Sequence, residues 1–140
     1  MRTLVEADAD VNAARTDNGC TPVFIAAEKG HLDVVRALVE ADADVNAART
    51  DIGCTPVFIA AEKGHLDVVW ALVEAGADVN AYNHDNGCTP VFIAAEKGHM
   101  EVVRALVEAG VDVNTTRTTD GTTPMFMATQ NGHLEVVRAL

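Results

Sequence analysis

Residues 21–31 read TPVFIAAEKGH, and the same eleven letters return at Thr55 and at Thr89. A diverged copy, TPMFMATQNGH, starts at Thr123. Each start lies 34 residues after the last. The identity runs on past these letters. Thr21–Ala41 and Thr55–Ala75 differ only at Arg36 against Trp70, and Thr89–Ala109 differs from the first only at Met100 and Glu101. A period of this size marks a tandem array in which each unit buries its apolar face on its neighbours.

The punctuation predicts the local structure of one unit. Thr21-Pro22 is a helix start: the hydroxyl can accept from an orphan N–H, and Pro suits the first helical position. VFIAAEK carries the helix to Gly30, which ends it in a left-handed conformation. His31 opens a second helix, with Asp33 in its first turn where the macrodipole favours an acid. Leu32, Val35, Leu38 and Val39 follow helical spacing and are its expected buried stripe. That helix ends near Asp42, Gly76 or Gly110. The stretch from about Ala43 to Cys54 is rich in Asp, Asn and Gly and reads as a turn. The unit is then two short antiparallel helices and a protruding turn or hairpin. Helices this short do not survive alone, so stacking must supply the stability.

The period of 34 matches the tetratricopeptide repeat, but Pro22 and Gly30 confine the first helix to about eight residues, too short for that unit. The motifs Thr21-Pro22, Ala26-Ala27, Gly30-His31, Val34-Val35 and Ala43-Asp44-Val45-Asn46 instead resemble the ankyrin repeat, over essentially all 140 residues. The resemblance implies an all-α ankyrin-repeat solenoid of stacked helix-turn-helix units. Residues 1–140 then form one array. Residues 1–11 end a truncated repeat, 12–45, 46–79 and 80–113 are full repeats, and 114–140 is a fourth repeat truncated in its second helix.

Three departures from the family pattern stand out. One extra residue lies in the turn, which should lengthen or bulge its tip. Phe24, Phe58, Phe92 and Phe126 occupy the site where the family commonly has His, so a phenylalanine ladder replaces a polar network. Asp8 and Asp42 stand where later copies have Gly76 and Gly110, and Asp tolerates the left-handed conformation less well. Arg2 aligns with Arg36 and Leu140 with Leu38, so both ends are expected to fall inside second helices. Without polar caps, the end faces are expected to associate head to tail.

Composition narrows the function. The chain has 21 acids against 10 bases, a formal net charge of −11, and 4% aromatic residues. Such a surface repels phosphate backbones and anionic lipid, so neither nucleic acid nor a membrane surface is an expected partner. The N-terminus MRTLVEADAD has no apolar core of signal-peptide length, and VFIAA is too short to span a bilayer. Three cysteines make no disulfide framework, and a reducing compartment, cytoplasmic or nuclear, is the simplest reading. Cys20, Cys54 and Cys88 share one repeat position, too far apart along a stack for disulfides or a common zinc. His31, His65, His99 and His133 recur in one Gly-His context and read as structural turn residues. No cofactor, metal or catalytic group is expected, and a solenoid lacks the enclosed pocket that catalysis usually requires.

Non-catalytic binding of another protein is therefore the function expected from the ankyrin resemblance, with a spacer or scaffold array as the alternative. The residues expected to make contacts are those at the turn tips and first-helix ends. At the tips these are Arg15, Asp17, Arg49, Asp51, Ile52, Tyr82, Asn83, His84 and Arg117. At the helix ends they are Glu28-Lys29, Glu62-Lys63 and Glu96-Lys97, which by the same resemblance line a concave surface. Trp70 joins them as either an interface anchor or a drifted surface residue. Tyr82-Asn83-His84 replaces the Ala14-Arg15-Thr16 of the first copy, while the helices that follow barely change.

Overall fold

The computed structural model describes residues 9–140. The readings made for Arg2 and Asp8 lie outside them. Among the described residues there are eight helices and no strands, arranged as four helix pairs. The first helices are α1 (Pro22–Lys29), α3 (Pro56–Lys63), α5 (Pro90–Lys97) and α7 (Pro124–Gln130). The second helices are α2 (Leu32–Glu40), α4 (Leu66–Glu74), α6 (Met100–Glu108) and α8 (Leu134–Ala139). First helices stack on first helices and second on second, giving two layers. The first helices pack more extensively on one another than the second helices do. Their paired alanines, such as Ala60 and Ala61 at full burial, permit that close approach.

Each first helix begins and ends as its letters dictate. The hydroxyls of Thr21, Thr55 and Thr89 accept the N–H of Phe24, Phe58 and Phe92 at 3.3 Å. Gly30 takes φ +73°, and the Gly30 and His31 N–H groups close onto the Ala27 and Ala26 carbonyls at 3.2 and 3.0 Å. Asp42 adopts φ +67°, the one non-glycine with positive φ among the described residues. It does so at the cost of about 1 kcal/mol that a Gly would avoid.

The core repeats with the sequence, but the second-helix stripe differs from the expected one. Val35 and Leu38 are buried, whereas Leu32 and Val39 are only half-buried. The Val34 position completes the stripe: Val34 itself is 49% exposed, yet Val68, Val102 and Val136 are at most 2% exposed. Periodicity within one helix could not show this, because burial at that position comes from the preceding repeat. The phenylalanine ladder obeys the opposite rule. Phe24, Phe58 and Phe92 are buried under the following repeat, and Phe126 is 55% exposed.

Three columns of hydrogen bonds tie each repeat to the next. The first runs from His65, His99 and His133 Nε2 to the carbonyls of Glu28, Glu62 and Glu96, at 3.0–3.1 Å. A carbonyl only accepts, so Nε2 carries the proton. In the second, the Asn12, Asn46 and Asn80 side-chain oxygens accept the Asp44, Asp78 and Asp112 N–H groups at 2.8, 2.7 and 3.1 Å. The third joins neighbouring turns: Thr50, His84 and Thr118 N–H donate to the Asn18, Ile52 and Asn86 carbonyls at 2.7–2.8 Å. The first column assigns His65, His99 and His133 to the stack. The three columns also supply polar ties between repeats where the Phe ladder lacks a polar side chain.

Candidate functional site

The turns between helix pairs form a row along one edge of the stack. Each closes on itself: Arg49 N–H donates to the Cys54 carbonyl and Gly53 N–H to the Arg49 carbonyl, both at 2.8 Å. The same pairings recur at Arg15, Asn83 and Arg117. Close approach between turns explains Gly53. A Cβ there would lie 2.7 Å from the His84 ring, and at Gly19 and Gly87 it would meet Thr50 and Thr118 as closely. His84 is therefore exposed at the rim and also covers the preceding turn.

The expected contact residues divide into engaged and free groups. Arg15 pairs with Asp17 in the open. Arg49 grips both oxygens of Asp51, and its guanidinium carbon lies 5.7 Å from the Phe24 ring centre. Arg117 grips Asp120, reaches Glu96 at 4.0 Å, and sits 5.3 Å from the Phe92 ring centre. Arg49 and Arg117 thus act as lids on the core as well as surface charges. The pairing holds Asp17 down to about 2 and keeps Asp51 and Asp120 below the ordinary carboxylate range. Ile52 is half-buried against the core, and its carbonyl is taken by His84. Asn83 folds back, its side-chain oxygen accepting the Asn86 N–H at 3.1 Å.

The free groups are fewer. Tyr82 is 58% exposed and stands edge-on to His84, ring centres 6.1 Å apart. Lys29, Lys63 and Lys97 are exposed with no ion pair among the described residues, beside half-buried Glu28, Glu62 and Glu96. Trp70 is 37% exposed on α4, in the other layer from the first-helix ends. Arg36 makes no ion pair among the described residues, so the pairing with Glu40 that its spacing suggests is not formed. The stacking of Arg49 and Arg117 on phenylalanine was not anticipated from sequence. Its signal is a recurrence: each Arg follows its Phe by 25 residues.

The thiols are free, with Cys54 and Cys88 buried and Cys20 partly so. Burial pushes the Cys54 and Cys88 thiols up to about 11, so they stay protonated near neutrality. Among the described residues no group of three His, Cys, Asp or Glu is placed to hold a metal ion. None of the described helices is long and apolar enough to cross a membrane.

A family model described as ankyrin repeats (3 copies) matches residues 1–83 and 81–140. No curated protein matches the chain.

Proposed function

The chain belongs to the ankyrin-repeat family, and from that premise we propose that it is a non-catalytic module recognising another protein. Ankyrin repeats generally mediate protein binding. The partner-binding surface of this reading is the row of turn tips together with the first-helix ends, on the concave side of the stack. The observation that carries it is where the repeats diverge. Tyr82, Asn83 and His84 break a near-identical array at a tip, and Tyr82 is 58% exposed there. Tyr offers large, amphipathic contact area at low entropic cost. The three hydrogen-bond columns hold neighbouring tips in register, which favours a preorganised surface. The free thiols suit a reducing compartment inside the cell.

Site-selective photocrosslinking tests this reading. A photoreactive side chain replacing Tyr82 or Lys63 is expected to give discrete adducts with one partner in cells, and the same group replacing Glu74 on α4 to give none. Equal adduct yields at all three positions, or no discrete adduct at any, would favour a spacer with no dedicated partner.

A further inference from the structure

The turns carry an arginine at residues 15, 49 and 117, but the third turn carries Asn83. The neighbouring copies show what that change removes. Arg49 lies over Phe24 and holds Asp51, two residues on in the same turn. Arg117 lies over Phe92, holds Asp120 and approaches Glu96. In the third turn the surroundings persist without the cation. Phe58 corresponds to Phe24 and Phe92, Asp85 to Asp51, and Glu62 to Glu96. Phe58 retains 4% exposure where Phe24 and Phe92, each under a guanidinium, retain 1%. Asp85 is exposed, Glu62 is half-buried, and neither has an ion pair among the described residues. Asn83 cannot substitute, because it is short and bonded back to its own turn. Cys54 adds no charge, since burial keeps its thiol protonated.

We propose that this arginine-less turn is a binding slot for an arginine side chain of a basic partner segment. The guanidinium would take the place that Arg49 and Arg117 fill in cis in the adjacent turns. It would lie over Phe58, with its N–H groups directed to Asp85 and its charge facing Glu62. A planar, forked donor fits this arrangement better than a lysine ammonium does. Tyr82 and His84 stand at the rim and offer aromatic surface to the residues flanking the arginine. The net charge of −11 draws a basic segment toward the site. The slot rests on the reading that the tips bind a protein, and it specifies the chemistry of that protein.

The test is an NMR titration of the full 140-residue chain at low salt. The probes are acetyl-Gly-Arg-Gly-amide and its lysine and alanine counterparts. The arginine probe is expected to give saturable shifts at Phe58 and at Tyr82–Cys88, with the lysine probe weaker and the alanine probe inert. Asn83→Arg closes the slot in cis and is expected to weaken the arginine probe by about tenfold or more. This variant should melt no lower than the native chain, since Arg stands at the other three turns. Glu74→Gln, which changes net charge by the same single unit on α4, should bind as the native chain does. Arg49→Asn should open a second slot, with new shifts at Phe24 and Thr50–Cys54. Unsaturable shifts spread over the acidic surface, equal binding of the lysine probe, or full binding by Asn83→Arg would each overturn the proposal. Its failure is separable from that of the broader reading. Crosslinks from Tyr82 without slot binding would retire the slot alone, and slot binding without crosslinks would retire the dedicated partner alone.

Discussion

Replacing one phenylalanine at two equivalent positions separates packing between repeats from helix formation within them. Phe58 and Phe126 follow the same Thr-Pro start by the same spacing, and both backbone N–H groups are capped by their threonine. Their burial differs: Phe58 is 4% exposed and Phe126 is 55% exposed. Phe58→Ala removes about 2–3 kcal/mol of apolar transfer energy. It also leaves a cavity of order 100 Å³, worth about 2 kcal/mol at roughly 24 cal/mol per Å³. The sum, about 4 kcal/mol, is a large share of the stability of a small domain. Phe126→Ala loses about half of the transfer part and leaves no closed cavity, so about 1 kcal/mol is expected. Phe58 is the better central site because no arginine covers it, so packing alone is measured. Urea denaturation followed by circular dichroism reads both losses, with the slope checked for a change in cooperativity. Losses equal within about 0.5 kcal/mol, or a larger loss at Phe126, would refute the claim that the stack rather than the single helix pair holds the fold.

Gly53→Ala should destabilise the array, because φ is +74° there and the new Cβ would press on the His84 ring; Gly76→Ala, with positive φ but open space around it, should lose less in the same denaturation experiment. The thiol environment predicts an alkaline limb in the stability profile. A thiol whose folded value is raised stabilises the fold below its unfolded value near 9, and that contribution is lost as pH rises toward about 11. Stability measured from pH 8 to 11 should therefore fall, and fall less in a Cys54→Ala/Cys88→Ala variant than in the native chain. Phe126 and Leu134 at one end, and Ile25 and Val34 toward the other, are 43–57% exposed. Light scattering of the 140-residue chain should show a mass that rises with concentration and with salt, and a strict monomer at high salt would end the head-to-tail proposal.

Much of the fold was legible because its signals are local. Thr-Pro, Gly-His and the left-handed Asp42 are each decided within a few residues, and the helix boundaries lie where those residues place them. What escaped the sequence depends on the neighbouring repeat. Val34 and Val68 occupy the same position in segments that differ only at Arg36 against Trp70, yet one is exposed and the other buried. The histidine column runs to a carbonyl 37 residues earlier, which no spacing within one unit announces. At the candidate site, sequence divergence marked Tyr82 to His84 as distinctive. It did not show that His84 covers Gly53, nor that Arg49 and Arg117 are engaged on phenylalanine rings. Those contacts become visible only when adjacent turns are placed side by side.

The separation of a fixed stack from a variable tip is tested most directly by a double substitution, Tyr82→Ala with His84→Thr. Ala48 and Thr50 occupy these positions one repeat earlier, and Thr50 and Thr118 cover Gly19 and Gly87 as His84 covers Gly53. The melting temperature of this variant and its affinity for the crosslinked partner should be measured on the same preparation. An unchanged melting temperature with binding weakened by about tenfold or more is the expected result. Unchanged binding would contradict the account of the tip, and a collapsed melting temperature would contradict the account of the stack.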